Sequence, residues 1–199
     1  MIIGITGGMG AGKSAVTQII RENGFVVLDA DVISREVTRK DAPLLRMLVK
    51  EFGIEIINED GTLNRRLLAD IAFADKQKTN RLNDLVQTAI LVRAFERIYQ
   101  MGLRGHDDIV FFDVPMLFEA EWQGLMNQVW LVTAPEDVRI ERVLARDGLS
   151  LDEIKTRMSL QMSEEEKKKK ADVVINNSSD LEYLQKQVRN LLEGLRYLN

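Results

Sequence analysis

Met1-Ile2-Ile3-Gly4-Ile5-Thr6 leads into Gly7-Gly8-Met9-Gly10-Ala11-Gly12-Lys13-Ser14 near the start of the chain. The first of these runs is short and apolar and reads as a buried parallel strand. The second matches G-x-x-x-x-G-K-[ST], a pattern with a physical content. Glycines let the backbone curl until several N–H groups point at one centre. The helix that follows adds the partial positive charge of its N-terminus, so an anion is held there. Lys13 then reaches β- and γ-phosphate oxygens, and the Ser14 hydroxyl suits Mg²⁺.

The pattern continues outward as a βαβ unit. Lys13 to Asn23 reads as a helix with Ala15, Val16, Ile19 and Ile20 inward and Gly24 as its stop. Phe25 to Leu28 reads as a second strand, ending at Asp29-Ala30-Asp31. Between Val32 and His106 the periodicity is helical, with no convincing strand. Pro43 to Phe52 is one helix. Thr62 is placed to cap a second one through Phe73. Asp75 is placed to cap a longer one, with Leu82, Leu85, Val86, Ala89, Ile90 and Phe95 inward and Gly102 and Gly105 at its end. Strands then return at Ile109 to Phe112, Val129 to Val132 and Val173 to Ile175. Helices are expected at Pro135 to Arg146, Asp152 to Met162 and Leu181 to Leu198. Five buried strands with interleaved helices predict an α/β fold with a parallel, doubly wound sheet. The expected division is a nucleotide-binding core, residues 1–31 and 108–199, interrupted by a helical insertion, residues 32–107.

Composition narrows the function. The 199 residues include no cysteine, which removes disulfides, thiolate zinc sites, thiol nucleophiles and iron–sulfur clusters. His106 is the single histidine, so sites built on two or more are excluded. It lies among charges and is expected at the surface. The net charge of −4 argues against a broad nucleic-acid-binding face. No run approaches the ~18 apolar residues of a transmembrane helix. The chain runs directly into a strand with no signal-peptide pattern, so a cytoplasmic protein is expected.

Several further residues carry chemistry. Asp29 and Asp31 alternate at the end of the second strand, at the sheet edge where ligands bind in such folds. A carboxylate there can orient an attacking hydroxyl and accept its proton. Either residue can instead cap the helix from Val32 onward. Asp113 ends the third strand and is placed to hold Mg²⁺ opposite Ser14. Arg139, Arg142 and Arg146 share one helix face, and Arg157 follows after a glycine-containing turn. Arg142 and Arg146 are the pair favoured for stabilising charge on a transferring phosphoryl group, because forked guanidinium donors match it. The alternative is a solvated basic face paired with Glu136, Glu141 and Asp147. Glu164-Glu165-Glu166-Lys167-Lys168-Lys169-Lys170 is expected to be a solvated helix of i,i+4 ion pairs near a lid. Met158 and Met162, like Trp122 and Trp130, are expected to serve packing.

Together these residues resemble the dephospho-CoA kinase family. The resemblance rests on Thr6 to Ser14, Asp29-Ala30-Asp31 and Asp113-Val114-Pro115-Met116-Leu117-Phe118-Glu119. It continues in Gly61-Thr62-Leu63-Asn64-Arg65, in Arg157 with Gln161, and in Ala171-Asp172-Val173-Val174-Ile175-Asn176-Asn177. It implies a P-loop kinase core in three α/β/α layers, a helical acceptor-binding insertion and a helical lid at about 139–170. It implies phosphorylation by ATP, with Mg²⁺, of the ribose 3′-hydroxyl of dephospho-CoA. Implied catalytic residues are Lys13, Asp31, Arg142 and Arg146. Implied ATP contacts are Gly8, Gly10, Ala11, Gly12, Lys13, Ser14, Ala15 and, near the adenine, Asn177. Implied acceptor contacts are Thr6, Asp31, Arg65, Leu117, Phe118, Arg157 and Gln161, and implied metal ligands are Ser14 and Asp113. The implied partner is a small molecule, with no nucleic acid and no membrane, and the implied assembly is a monomer or weak homo-oligomer. Two positions depart from the family pattern. Gln87-Thr88 stands where a His-Pro pair is common, and Ser179 where glycine is usual. Gln87 keeps hydrogen bonding but carries neither proton nor charge.

Three rivals are weighed against this reading. A shikimate-kinase-like enzyme shares Asp-x-Asp but has a Gly-Gly-Gly turn where this chain has Asp113-Val114-Pro115. A nucleotide-dependent switch needs Asp-x-x-Gly after the third strand, and here the fourth residue is Met116. An inactive nucleotide-binding scaffold fits poorly with intact Lys13, Ser14, Asp31 and Asp113.

Overall fold

The computed structural model describes residues 1–102 and 108–196. Five strands form one parallel sheet in the order β2-β3-β1-β4-β5. They are β1 (Ile2–Gly7), β2 (Val26–Asp29), β3 (Val110–Asp113), β4 (Gln128–Thr133) and β5 (Val173–Asn176). The first strand lies centrally, with Ile5 beside Asp113 of β3 on one side and Gly7 beside Val132 of β4 on the other. That register brings the end of β3 next to the start of the glycine-rich loop. The expected α/β architecture is the observed one.

Strand alternation sends Ile3, Ile5, Phe111, Trp130 and Val132 to one face of the sheet. Helices α1 (Lys13–Glu22) and α9 (Leu181–Arg196) cover that face with Val16, Ile19, Ile20, Leu184, Val188 and Leu192. Each fully buried aliphatic side chain here contributes about 1.5–3 kcal/mol relative to exposure. Phe111 meets Phe25 and Trp130 edge-on, at centroid distances of 5.6 and 5.2 Å. On the opposite face Trp122 stacks on Phe112 at 5.9 Å. Leu117 lies so close to Gly4 that a Cβ on Gly4 would stand 2.5 Å from Leu117 Cδ1. Both tryptophans are packing residues, as expected. The same unit also holds α6 (Glu136–Asp147), α7 (Leu151–Ser159) and α8 (Glu164–Lys170).

The chain divides into two compact units. One is Met1–Leu28 with Arg104–Asn199, and the other is Asp29–Leu103. The second unit is helical: α2 (Ala30–Val37), α3 (Pro43–Phe52), α4 (Arg65–Phe73) and α5 (Lys76–Gln100). Leu44, Leu48, Phe52, Ile56, Leu68, Ala72 and Leu85 form its core. Pro43 opens α3 at a position where its missing N–H has no cost. Asp75 caps α5 as expected, accepting from Lys78 N–H at 2.9 Å. Across this unit Glu36 accepts from Arg93 Nε at 2.7 Å and also from Arg97, which ties α2 to α5.

Two expectations for this unit are corrected. Thr62 caps no helix. Its N–H and hydroxyl both donate to Asp60 Oδ1, at 2.9 and 2.6 Å, in a turn closed by one antiparallel bridge, Ile57 to Leu63. Asn64 takes the cap instead, accepting from Leu67 N–H at 3.0 Å. Phe95 is exposed, and Ala94 is the buried residue on that stretch of α5. Gly105, His106 and Leu198 lie outside the described residues. No helix among the described residues is long and apolar enough to cross a membrane.

Candidate active site

The glycine-rich loop joins β1 to α1 through Gly8 to Gly12. Ala11 N–H donates to Gly8 O, and Ala15 N–H to Gly12 O, both at 3.0 Å, which tightens the curl. Gly10 and Gly12 have φ of +78° and +87°, a region that other residues adopt at a cost. Space is also limiting. A Cβ on Gly10 would stand 2.4 Å from the backbone oxygen of Arg139, and one on Gly12 would stand 2.0 Å from Asn177 Nδ2. The loop is therefore gripped from outside by α6 and by the segment after β5.

Lys13 is the first residue of α1 and Asp113 the last of β3. Lys13 Nζ donates to Asp113 Oδ1, and Asp113 is only 4% exposed. The motif lysine and the strand-end carboxylate thus meet at one point, beside the loop. Ser14 is exposed and Ala15 half-buried at the start of the same helix. Thr6 is buried, and its hydroxyl donates to Pro115 O at 3.1 Å. That bond fixes the turn after β3 against the end of β1.

Asn177 is buried and makes three polar contacts. Its N–H donates to Thr133 O at 2.8 Å, its Nδ2 donates to Ala11 O at 2.8 Å, and its carbonyl accepts from Arg142 Nη2 at 3.0 Å. Arg142 therefore reaches the segment implied to lie near the adenine. Arg146 does not. Its fork is closed on its neighbour Asp147, at 2.6 and 2.8 Å, with most of the side chain in solvent. The hydrogen bond from Arg146 holds the Asp147 carboxyl below its usual range. In this structure the solvated-face alternative describes Arg146.

The third arginine of that face is the one on the loop. Arg139 is buried, its guanidinium packs against Gly8, and Nη1 lies 3.6 Å from Glu164 Oε2. Arg139 and Glu164 line a cavity of about 580 Å³ beside Gly8, with Lys155 and Gln161. Met158 and Met162 are half-buried in its wall rather than deep in a core. Spacing alone does not single out Arg139, because it is the burial of one end of the arginine face that distinguishes it.

Other expected contacts fall differently. Leu117 and Phe118 are 0% and 1% exposed, so neither side chain has surface to offer an acceptor. They are core residues, so any contact they make with an acceptor runs through their backbone. Gln161 spends its amide on the loop, with Oε1 accepting from Met9 N–H at 3.1 Å. Arg157 is exposed on α7. The Glu–Lys run is not simply solvated. Lys167 is fully buried, with Nζ 2.8 Å from Glu119 Oε1, and the exposed pair that forms is Glu165 with Lys168, at i,i+3. In a run of four lysines the sequence holds no signal for which one turns inward.

In the helical unit Asp29 and Asp31 separate. Asp29 Oδ1 accepts from Asp31 N–H at 2.8 Å and Val32 N–H at 3.1 Å, so Asp29 is the N-cap of α2. Asp31 is exposed, and its carboxylate makes no hydrogen bond among the described residues. Arg65, at the start of α4, donates from Nη2 to Thr38 Oγ1 at 2.5 Å. It lines a cavity of about 200 Å³ with Ser34, Thr38, Asn83 and Val86.

The family profile of dephospho-CoA kinase (CoaE) matches residues 1–182. A protein of Carboxydothermus hydrogenoformans named dephospho-CoA kinase is 38% identical over 98% of this chain and 95% of its own length. The solved structure of TT1252 from Thermus thermophilus is 36% identical and superposes with a TM-score of 0.82, covering 98% of this chain and 97% of that one. The dephospho-CoA kinase of Campylobacter jejuni shares the fold, with a TM-score of 0.72 at 23% identity over 98% of this chain and 97% of its own. The rival readings lose their ground to this agreement over nearly the full length. The chain belongs to the dephospho-CoA kinase family, phosphotransferases that use ATP and take an alcohol group as acceptor.

Proposed function

We propose that this chain transfers the γ-phosphoryl group of ATP to the ribose 3′-hydroxyl of dephospho-CoA, the last step in making coenzyme A, with Asp31 as the group that receives the hydroxyl proton. The observation that supports this role is the separation of the two aspartates. Asp29 is committed to capping α2, and Asp31 is left exposed with an uncommitted carboxylate. The 3′-oxygen attacks the γ-phosphorus and the bond to the β,γ-bridging oxygen breaks. The proton passes to Asp31 and ADP leaves. The transition state of such transfers is loose, so positioning and charge stabilisation outweigh proton abstraction.

The loop amides and Lys13 hold the phosphates, with Lys13 exchanging the Asp113 carboxylate for phosphate oxygens. Arg142 serves the nucleotide end beside Asn177. Arg146 serves the phosphates once its Asp147 contact is given up. Gly8, Gly10, Ala11, Gly12, Ser14 and Ala15 complete the ATP site. The donor set fits Mg²⁺ arriving with ATP rather than a resident metal. No cluster of three His, Cys, Asp or Glu side chains able to hold a metal exists among the described residues. Mg²⁺ commonly keeps waters and phosphate oxygens and takes one or two protein ligands. Ser14 and Asp113 would be those ligands, and bound Mg²⁺ would neutralise charge on the phosphates.

Arg65 and Arg157 are the acceptor contacts we favour, and Thr6 fixes the turn after β3. Arg65 gives a forked cation over an apolar wall, which suits an anionic nucleotide-like acceptor. The proposed setting is the cytoplasm, as a monomer or weak homo-oligomer. The test is incubation of the purified chain with ATP, Mg²⁺ and dephospho-CoA, with the phosphorylated position read by phosphorus NMR. A 3′-phosphate that disappears in Lys13→Ala supports the reading. Phosphate elsewhere, or ATP binding with no product, overturns the acceptor.

A further inference from the structure

Glu119 ends the segment that follows β3 and takes no part in the reaction proposed above, yet its carboxylate is held inside the core unit. Oε1 accepts from Met162 N–H at 2.9 Å and lies 2.8 Å from Lys167 Nζ. Oε2 is buried without a hydrogen-bond partner among the described residues. Lys167 is 0% exposed, whereas Lys168, Lys169 and Lys170 are exposed. A buried ion pair is a poor source of stability, because two charges lose their hydration and an apolar pair often fills the same place equally well. Its presence is better explained by what it holds in register.

What it holds is the turn between α7 and α8. Met162 is tied to Glu119, and the residue before it is Gln161. Gln161 Oε1 accepts from Met9 N–H at the tip of the phosphate loop, at 3.1 Å, and Nε2 reaches Met116 Sδ at 3.7 Å. A continuous line of contacts therefore runs from Lys167 through Glu119, Met162 and Gln161 to Met9. All five residues belong to the same unit.

We propose that Glu119, its buried charge balanced by Lys167, sets the 160–163 turn through Met162 so that Gln161 braces the phosphate loop in its nucleotide-binding form. Glu119 and Gln161 are positioning residues for ATP, and Lys167 neutralises the Glu119 carboxylate. The inference rests on the ATP-site reading given above, and needs only nucleotide binding, not the identity of the acceptor. A loop held in its bound form pays no ordering cost when the ligand arrives. Releasing the brace weakens ATP binding and leaves the chemical step little changed once ATP is bound.

The test compares three variants of the full chain. Glu119→Leu with Lys167→Met removes both charges together, so that neither is left buried alone. Gln161→Leu removes the brace directly. Glu119→Gln with Lys167→Met discards the charges but keeps an oxygen for Met162 N–H, and is the rescue. ATP affinity is measured by calorimetry without acceptor, and kcat and KM at saturating dephospho-CoA. The first two variants are expected to weaken ATP about tenfold, with kcat kept within about twofold. Combined, they are expected to be no worse than Gln161→Leu alone, because contacts in series do not add. The rescue is expected to bind ATP as the parent does. Unchanged ATP affinity in Gln161→Leu overturns the brace, even if the first variant fails to fold. Additive losses, or loss of affinity in the rescue, overturn the route through Met162. If the parent binds ATP but does not phosphorylate dephospho-CoA, the proposed function fails while the calorimetric comparison still decides this one.

Discussion

The phosphate loop and the helical unit are held by different physics. In the loop, the backbone itself is the working part. Gly10 and Gly12 stand at positive φ, and the Arg139 backbone and the Asn177 side chain come so close that no Cβ fits. Polar groups surround it: Asn177 on Ala11 O, Gln161 on Met9 N–H, and Lys13 on Asp113. In the helical unit, the work is done by side chains. Leu48, Phe52, Ile56, Leu68 and Leu85 pack a small apolar core, and Glu36 with Arg93 and Arg97 closes it. A site made of backbone tolerates almost no substitution, whereas a helical surface tolerates many.

Substitutions on each side sharpen the contrast. The largest effect is expected for Lys13→Ala, a loss of roughly 10²–10³ in kcat, the size seen for removing one preorganised donor. Steady-state kinetics check it. Asp31→Asn is expected to lose about 10² in kcat, as for a positioned general base, with ATP affinity by calorimetry unchanged. Unchanged turnover would remove Asp31 from its role. Gly12→Ala forces a Cβ into a positive-φ position 2.0 Å from Asn177 Nδ2. It is expected to cost about 1–3 kcal/mol and to lower Tm by about 2–4 °C for each of them.

The smallest effect belongs to the helical unit. Burial of Glu36 raises its carboxyl pKa, but the hydrogen bond from Arg93 and the charges of Arg97, Arg93 and Arg39 outweigh this and leave it lowered. A lowered carboxylate contributes stability above its unfolded pKa and loses it as pH falls through the folded value. Glu36→Gln is expected to cost about 1 kcal/mol at pH 7, between the worth of exposed and buried pairs. The difference in Tm between parent and variant should shrink toward zero as the pH falls below about 4. A difference that stays constant into acid would mean that the Glu36 charge is not what ties α2 to α5.

Much of this was legible in the residues themselves. The β1–loop–α1 unit follows from apolar strand length, glycine placement and Lys13-Ser14, because local backbone demands fix those residue types. The five strands follow from continuous apolar runs, which a parallel sheet buried on both faces requires. The Asp29 and Asp31 pair was legible only as two options, since capping and catalysis ask for the same residue type. What escaped reading is tertiary. Thr62 and Asn64 are both good caps, and the turn closed by Ile57 and Leu63 decides between them. Burial of Arg139 and Lys167 depends on which side of α6 and α8 meets the core, and the local charge pattern does not record it. Burial of Leu117 and Phe118 is likewise a tertiary fact that the local pattern does not record.

The proposed function carries one kinetic claim: the loop serves the donor, and Arg65 of the helical unit serves the acceptor. Two-substrate kinetics of Arg65→Ala test it most directly. The account predicts that KM for dephospho-CoA rises about 10–100-fold, the worth of a charged hydrogen bond, while KM for ATP stays unchanged. A rise in KM for ATP of the same size, or no rise for dephospho-CoA, would contradict it.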